Sequence, residues 1–105
     1  MKRVRICGRD ELRSGEVRRF DVGGRRIAVV RIDDSYYAVG DRCSHAEASL
    51  SEGEVLCEQR EIECPQHGSA FSLVTGEAIT LPATQPVPAY TVDVVEGDVM
   101  LEVSE

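Results

Sequence analysis

The sequence predicts an all-β fold, an antiparallel β-sandwich carrying a small metal-binding insertion. Three observations predict it. Short runs of alternating apolar residues are separated by two-residue turn signals, of which Gly23-Gly24 and Glu96-Gly97 are the plainest. Only Asp10 to Arg13 hints at a helical turn. Between the strand-like flanks, the stretch from Asp41 to Phe71 gathers Cys43-Ser44-His45 and Cys64-Pro65-Gln66-His67, which contain both histidines and two of the four cysteines.

The elements follow in order. Arg3 to Cys7 alternates as a short strand, and Glu16 to Val22 forms the next. Gly23-Gly24 then turns the chain into Arg25 to Asp33. Asp33-Asp34-Ser35 turns it again, and Tyr36 to Gly40 is the strand that delivers the first Cys-His box. Beyond the second box, Ala70 to Val74 and Glu77 to Thr80 flank a Thr75-Gly76 turn. Ala89 to Val95 and Asp98 to Val103 form a closing hairpin across Glu96-Gly97. No internal repeat, linker or low-complexity segment interrupts residues 1–105, so a single domain is expected, with the metal-binding part at about residues 41–82.

The 105 residues are enough for one modest core. Apolar residues make up 42% and aromatics 5%, with no Trp, which suits a small β-rich interior of Val and Ile. Met1 to Asp10 has charges but no apolar run behind them, and nothing approaches a membrane span, so a cytoplasmic chain is expected. The net charge of −7 is unevenly placed: residues 1–42 carry 11 basic and 7 acidic side chains, whereas residues 43–105 carry Arg60 alone against 12 acids. That surface disfavours nucleic acid and suits a partner with a basic docking patch.

Each box pairs one Cys with one His, two or three residues apart. Two thiolates and two imidazoles could hold a single zinc ion, or divide between the two irons of a sulfide-bridged cluster. Zinc fingers usually pair like with like, Cys with Cys and His with His. Here the order is Cys, His, 18 residues, Cys, His. Two such loops facing each other fit a dinuclear site, with both sulfurs on one iron and both nitrogens on the other. Neutral imidazoles make the oxidised cluster neutral and the reduced one singly negative, so an electron is accepted more readily than by an all-Cys cluster.

The boxes and their surroundings, CSHAEASLSEGE and ECPQHGSAFSLVTGEAITLPA, together with the closing hairpin, resemble the soluble Rieske-type ferredoxins of bacterial ring-hydroxylating dioxygenases over almost the whole chain. The resemblance implies the all-β Rieske iron-sulfur fold and a [2Fe-2S] cluster held by Cys43, His45, Cys64 and His67. It also implies one-electron transfer from a flavoprotein reductase to a terminal non-heme iron oxygenase, both docking near His45 and His67, on a rim that includes Ala46, Gln66 and Pro82. High-potential Rieske proteins carry an extra Cys in each loop, where this chain has Glu47 or Ala48 and Gln66. They also place a Ser and a Tyr two residues apart to donate hydrogen bonds toward the cluster, whereas this chain keeps Ser69 and has Phe71. A potential near the low end of the Rieske range, about −150 mV, is therefore expected.

Other residues near the boxes also invite a role. Gly53 and Gly68 suit tight turns or close backbone approach to sulfide, and Leu81-Pro82-Ala83 resembles the loop that covers the cluster in this family. Backbone amides of His45, Ala46, Glu47, His67 and Ser69 are candidate donors to sulfur. Cys7 and Cys57 read as small packed side chains rather than ligands. No His is left over to serve as a catalytic base or to hold a mononuclear iron, so an electron carrier is expected, not an enzyme. The alternatives are a Rieske protein supporting iron-sulfur cluster assembly, a nitrite reductase small subunit and a zinc-binding interaction module.

Overall fold

The computed structural model describes residues 2–43, 48–66, 68–80 and 85–103. Among these, ten strands run in chain order: β1 (Lys2–Gly8), β2 (Val17–Val22), β3 (Arg25–Ile32), β4 (Ser35–Gly40), β5 (Glu54–Leu56), β6 (Glu61–Glu63), β7 (Ala70–Ser72), β8 (Ala89–Tyr90), β9 (Val92–Val95) and β10 (Asp98–Val103). They form three antiparallel sheets, ordered β1-β10-β9, β2-β3-β4-β8 and β5-β6-β7. Short 3-10 turns occupy Arg9–Glu11 and Leu50–Glu52. The all-β reading of the sequence stands.

Turn chemistry sets the registers. Val22 pairs with Arg25, Ile32 with Ser35 and Val95 with Asp98, so three hairpins each turn in two residues. In the first, Gly23 and Gly24 both adopt left-handed backbone, φ 57 and 80. Left-handed backbone at both positions is the type I′ turn, whose twist matches that of the flanking strands.

The run Ile27-Ala28-Val29-Val30 is fully buried, which explains why it reads as continuous apolar sequence rather than as alternation. Side chains alternate across the strand, so β3 feeds two cores at once. Ile27 and Val29 pack with Leu12, Ala38 and Leu101 on the side of the β1-β10-β9 sheet. Ala28, Val30 and Ile32 pack on the other side with Val39, Leu50, Ile62, Phe71, Leu73, Val87, Cys43 and Cys64. The central sheet is thus a shared middle layer, and both box cysteines belong to the core between it and the β5-β6-β7 sheet. Burying each of these large aliphatic or aromatic side chains favours folding by about 1.5–3 kcal/mol.

Three sequence expectations change. The strand expected over Ala89 to Val95 breaks at Thr91: Ala89 and Tyr90 pair with Val39 and Ala38, while Val92 to Val95 pair with β10. One apolar run therefore crosses from one sheet to another. The strand expected over Ala70 to Val74 ends at Ser72, whose Oγ accepts the N–H groups of Val74 and Thr75, both at 3.2 Å. A hydroxyl that captures the next two amides offers the backbone a turn in place of the ladder. Glu77 to Thr80 contributes an isolated bridge, Phe71 with Ala78, flanked by the Ser72 N–H to Glu77 carbonyl bond, 2.9 Å, and not a full strand. The β5–β6 hairpin was not anticipated.

The layering has a direct test. Leu101 is fully buried and lies on the side of the central sheet away from Cys43 and Cys64. Leu101→Ala is expected to lower unfolding free energy by about 2–5 kcal/mol in denaturant titrations. The folded variant should retain the native far-ultraviolet circular dichroism spectrum, because the core around Cys43 and Cys64 lies on the other side of the central sheet.

Candidate metal centre

The two boxes sit on loops closed in the same way. The Cys43 N–H donates to the Ala48 carbonyl at 3.0 Å, and the Cys64 N–H donates to the Ser69 carbonyl at 2.7 Å. In both, a cysteine closes a ladder onto the residue five positions later. Behind the first closure lie the Arg42–Ser49 bridge and the Leu50 N–H to Asp41 carbonyl bond, 2.6 Å. Behind the second, Glu63 pairs with Ala70 at the end of the β6–β7 ladder. The second loop is tightened by Gly68, φ 72, whose N–H returns to the Cys64 carbonyl at 3.1 Å.

Cys43 and Cys64 are 3% and 1% exposed, are not disulfide-bonded, and share one apolar cluster with Leu50, Ile62, Phe71 and Leu73. Past Cys64 the chain surfaces at Pro65 and Gln66. Each thiol therefore stands at the buried root of its loop. His45 and His67 lie outside the described residues, as do Ser44, Ala46, Glu47 and Leu81, Pro82 and Ala83. The donor chemistry suits a soft-metal or iron-sulfur centre: paired thiols, apolar walls that limit water, and an imidazole within three residues of each sulfur in the sequence. Among the described residues, no group of three or more His, Cys, Asp or Glu side chains forms a rival metal cage.

Gly53 closes a tight turn, its N–H donating to the Leu50 carbonyl at 2.9 Å, and it also permits a close approach to β6. A Cβ there would fall 1.8 Å from the Glu63 carbonyl oxygen, so its bare backbone lets the Leu50–Glu52 turn approach β6 just before Cys64. Ser69 is fully buried beside the second closure. Phe71, also fully buried, presents a hydrocarbon ring with no hydroxyl to donate.

Charge around the site is less uniform than the sequence halves suggest. Asp93 and Asp98, from the acidic half, pair with Arg3 at 2.7 Å and Arg5 at 2.8 Å on the β1-β10-β9 sheet. The Asp98 hydrogen bond and charge push the Arg5 guanidinium still higher than usual. Glu54 stands directly opposite Glu63 across β5 and β6, a like-charge pair that opposes sheet stability. The Glu63 carboxylate reaches toward the second loop, 3.8 Å from where a Cβ on Gly68 would sit. Among the described residues, Glu52, Glu54, Glu58, Glu61 and Glu63 thus gather on the β5-β6-β7 sheet and the turn that leads into it.

The burial of Asp41, just before the first box, was not read from the sequence. The residue is fully buried, its Oδ1 accepts the Ser51 N–H at 2.8 Å, and its Oδ2 has no hydrogen-bond partner among the described residues. The available signal was its place two residues before Cys43 at the end of a strand.

Comparison with known proteins adds an independent line. Residues 2–91 match the family model described as the Rieske [2Fe-2S] domain. The chain is 40% identical over 105 residues to the 3-phenylpropionate/cinnamic acid dioxygenase ferredoxin subunit of Escherichia coli (strain K12), covering all of this chain and 97% of that one. Among solved structures, the ferredoxin of carbazole 1,9a-dioxygenase from Nocardioides aromaticivorans IC177 superposes with a TM-score of 0.93 at 42% identity, covering 96% of this chain and 97% of that one. A ferredoxin solved in complex with the reduced oxygenase of carbazole 1,9a-dioxygenase superposes with a TM-score of 0.87 at 39% identity, covering 94% and 100%.

The remaining cysteines lie apart from the paired loops in sequence, and both are packed as expected. Cys57 is half-buried against the second core. Cys7 is buried on β1, where burial, and then the charge of Glu11, push its thiol above the usual range. A raised acid favours the neutral form in the folded state, so its contribution is intact below the unfolded thiol pKa, about 8.5, and fades as pH climbs from there through the folded value. Cys7→Ala should therefore show a shallower loss of unfolding free energy above about pH 8.5 than the native chain, as read by denaturant titrations at stepped pH.

Proposed function

Because the chain belongs to the Rieske [2Fe-2S] domain family, we propose that it serves a ring-hydroxylating dioxygenase system, taking single electrons from a flavoprotein reductase and delivering them to a terminal non-heme iron oxygenase. It is an electron-transfer ferredoxin rather than an enzyme, and its cofactor is a Rieske-type [2Fe-2S] cluster. The observation that carries the proposed role is full-length similarity to dioxygenase ferredoxin subunits, joined to two like loops that each bury one cysteine at the root.

Cys43 and Cys64 would hold one iron, and His45 and His67 the other, within a cluster-binding portion spanning about residues 41–82. When bound, the cluster supplies one reversible electron at a potential above that of an all-Cys centre. The chain's own residues do the rest. Leu50, Ile62, Phe71 and Leu73 wall the thiols from water. Backbone closures from Cys43 and Cys64 fix both sulfurs relative to the ladders behind them. Phe71 withholds the hydroxyl donor that raises potential in the high-potential relatives, favouring the low end of the range, about −150 mV.

Exposed Glu52, Glu54, Glu58 and Glu77 draw a basic partner surface toward the loops at long range, an attraction that weakens with salt. Docking near His45 and His67 gives both partners the same short route. The acidic surface disfavours nucleic acid. Among the described residues no helix is long and apolar enough to cross a membrane, and a cytoplasmic setting suits a carrier that keeps four reduced cysteines.

Ligand replacement separates the roles. Cys43→Ala and Cys64→Ala are expected to lose the visible chromophore and nearly all bound iron. His45→Cys or His67→Cys, where a cluster assembles, should lower the midpoint because a thiolate replaces a neutral ring. The native chain should couple a flavoprotein reductase to product formation by a terminal oxygenase, and Cys64→Ala should not. Two irons retained by Cys64→Ala, or a colourless native protein with one zinc per chain, would contradict the assignment.

A further inference from the structure

We propose, building on the carrier role assigned above, that a cleft beside the first loop is a two-signed docking handle. In it Arg26 takes a carboxylate and Glu52 a basic side chain of the terminal oxygenase, so that the pair fixes how the partner is turned over the loops. The cleft, of about 180 Å³, is lined by Arg26, Asp41, Arg42, Ala48, Ser49 and Glu52. Asp41 and Arg42 lead directly into Cys43, and the Ala48 carbonyl closes the loop onto the Cys43 N–H.

Opposite charges reach this cleft from two elements. Side chains alternate along β3, so Arg26 shares the face of Ala28 and Val30, which pack with Cys43 and Cys64. Asp21, its cross-strand neighbour, is engaged by Arg19 at 3.4 Å. Glu52 comes from the Leu50–Glu52 turn, which packs against β2 and β3. Both Arg26 and Glu52 are exposed, and among the described residues neither joins an ion pair. Each therefore remains open to a visiting charge.

The backbone holds the two in place. The Arg26 carbonyl accepts the Asp41 N–H at 3.0 Å, the Glu52 N–H donates to the Ser49 carbonyl at 3.1 Å, and the Ser51 N–H donates to Asp41 Oδ1 at 2.8 Å. Both charged residues thus keep a fixed relation to the first loop, which lowers the cost of ordering them on binding.

A protein surface is the occupant that fits. The neighbouring acids attract a basic partner but carry one sign, so by themselves they set no direction. Arg26 supplies the other sign, and its planar fork suits a carboxylate. A free anion on Arg26 would also face Glu52, whereas a protein can present an acid and a base side by side, and complementary pairs of that kind fix register. The oxygenase is the partner seen on a related ferredoxin.

Steady-state coupling at low salt tests the handle, with reductase in excess and the cluster-loaded chain varied against the terminal oxygenase. Arg26→Glu makes the chain more negative, so attraction to a basic surface alone would lower its KM. The handle predicts a rise of about three- to tenfold, with kcat changed less. Arg25→Glu, the same change of charge on the opposite face of β3, should not raise KM. Arg26→Glu combined with Glu52→Lys restores the native net charge with the signs exchanged, and should raise KM at least as far as Arg26→Glu alone. An unmoved or lowered KM in Arg26→Glu, or a native KM in the double variant, would overturn the handle. So would a rise seen only when the reductase is made limiting. Saturable binding of inorganic phosphate in NMR titrations, abolished by Arg26→Glu, would overturn it too by making the cleft a small-anion site. A native chain that fails to couple the two enzymes would instead defeat the carrier role.

Discussion

Two backbone hydrogen bonds carry the structure's central constraint: Cys43 N–H to the Ala48 carbonyl and Cys64 N–H to the Ser69 carbonyl. Each ties a cysteine to the residue five positions on, so each loop leaves its ladder at a sulfur-bearing residue. Both side chains are buried in the same apolar cluster, so the two loops present like thiols from like positions. The proposed centre, with sulfur on one side and nitrogen on the other, would use that repetition, because in sequence the His of each box lies beyond the Cys.

The layers behind the loops serve that geometry. β3 is buried on both faces, so the middle sheet cannot shift without disturbing two cores. The 3-10 turn of Leu50–Glu52 is held from one side by Asp41 and approaches β6 through the bare backbone of Gly53 on the other. The first loop and the strand that leads into Cys64 are therefore linked through a handful of backbone contacts. Acidic side chains gather on this part of the molecule even where Glu54 and Glu63 oppose each other across the ladder. Such repulsion reduces stability and at the same time strengthens a negative field around the loops.

Much of this was legible in the sequence, and the failures have physical causes. The long hairpins showed through because Gly23-Gly24 and Glu96-Gly97 mark their turns, and the paired boxes showed through by residue type and spacing. The β5–β6 hairpin was hidden because its strands are three residues each and their outward positions include Glu54, Glu61 and Glu63, leaving only Val55 and Ile62 as an inward pattern. The break at Thr91 was hidden because the residues on both sides suit a strand, and only tertiary pairing assigns them to different sheets. Ser72 ended its strand through a local hydroxyl bond that apolar alternation does not register. Asp41 escaped notice because aspartate is rarely buried. The acid-rich second half suggested one uniform surface, whereas Asp93 and Asp98 fold back onto Arg3 and Arg5.

The claim that one thiolate from each loop meets a shared two-iron centre is tested most directly by Mössbauer spectroscopy of the iron-57-enriched protein after one-electron reduction. Unequal ligation predicts two distinct iron sites in equal amounts, a ferrous site bound by nitrogen and a ferric site bound by sulfur alone. A single class of iron, or one metal atom per chain, would contradict it.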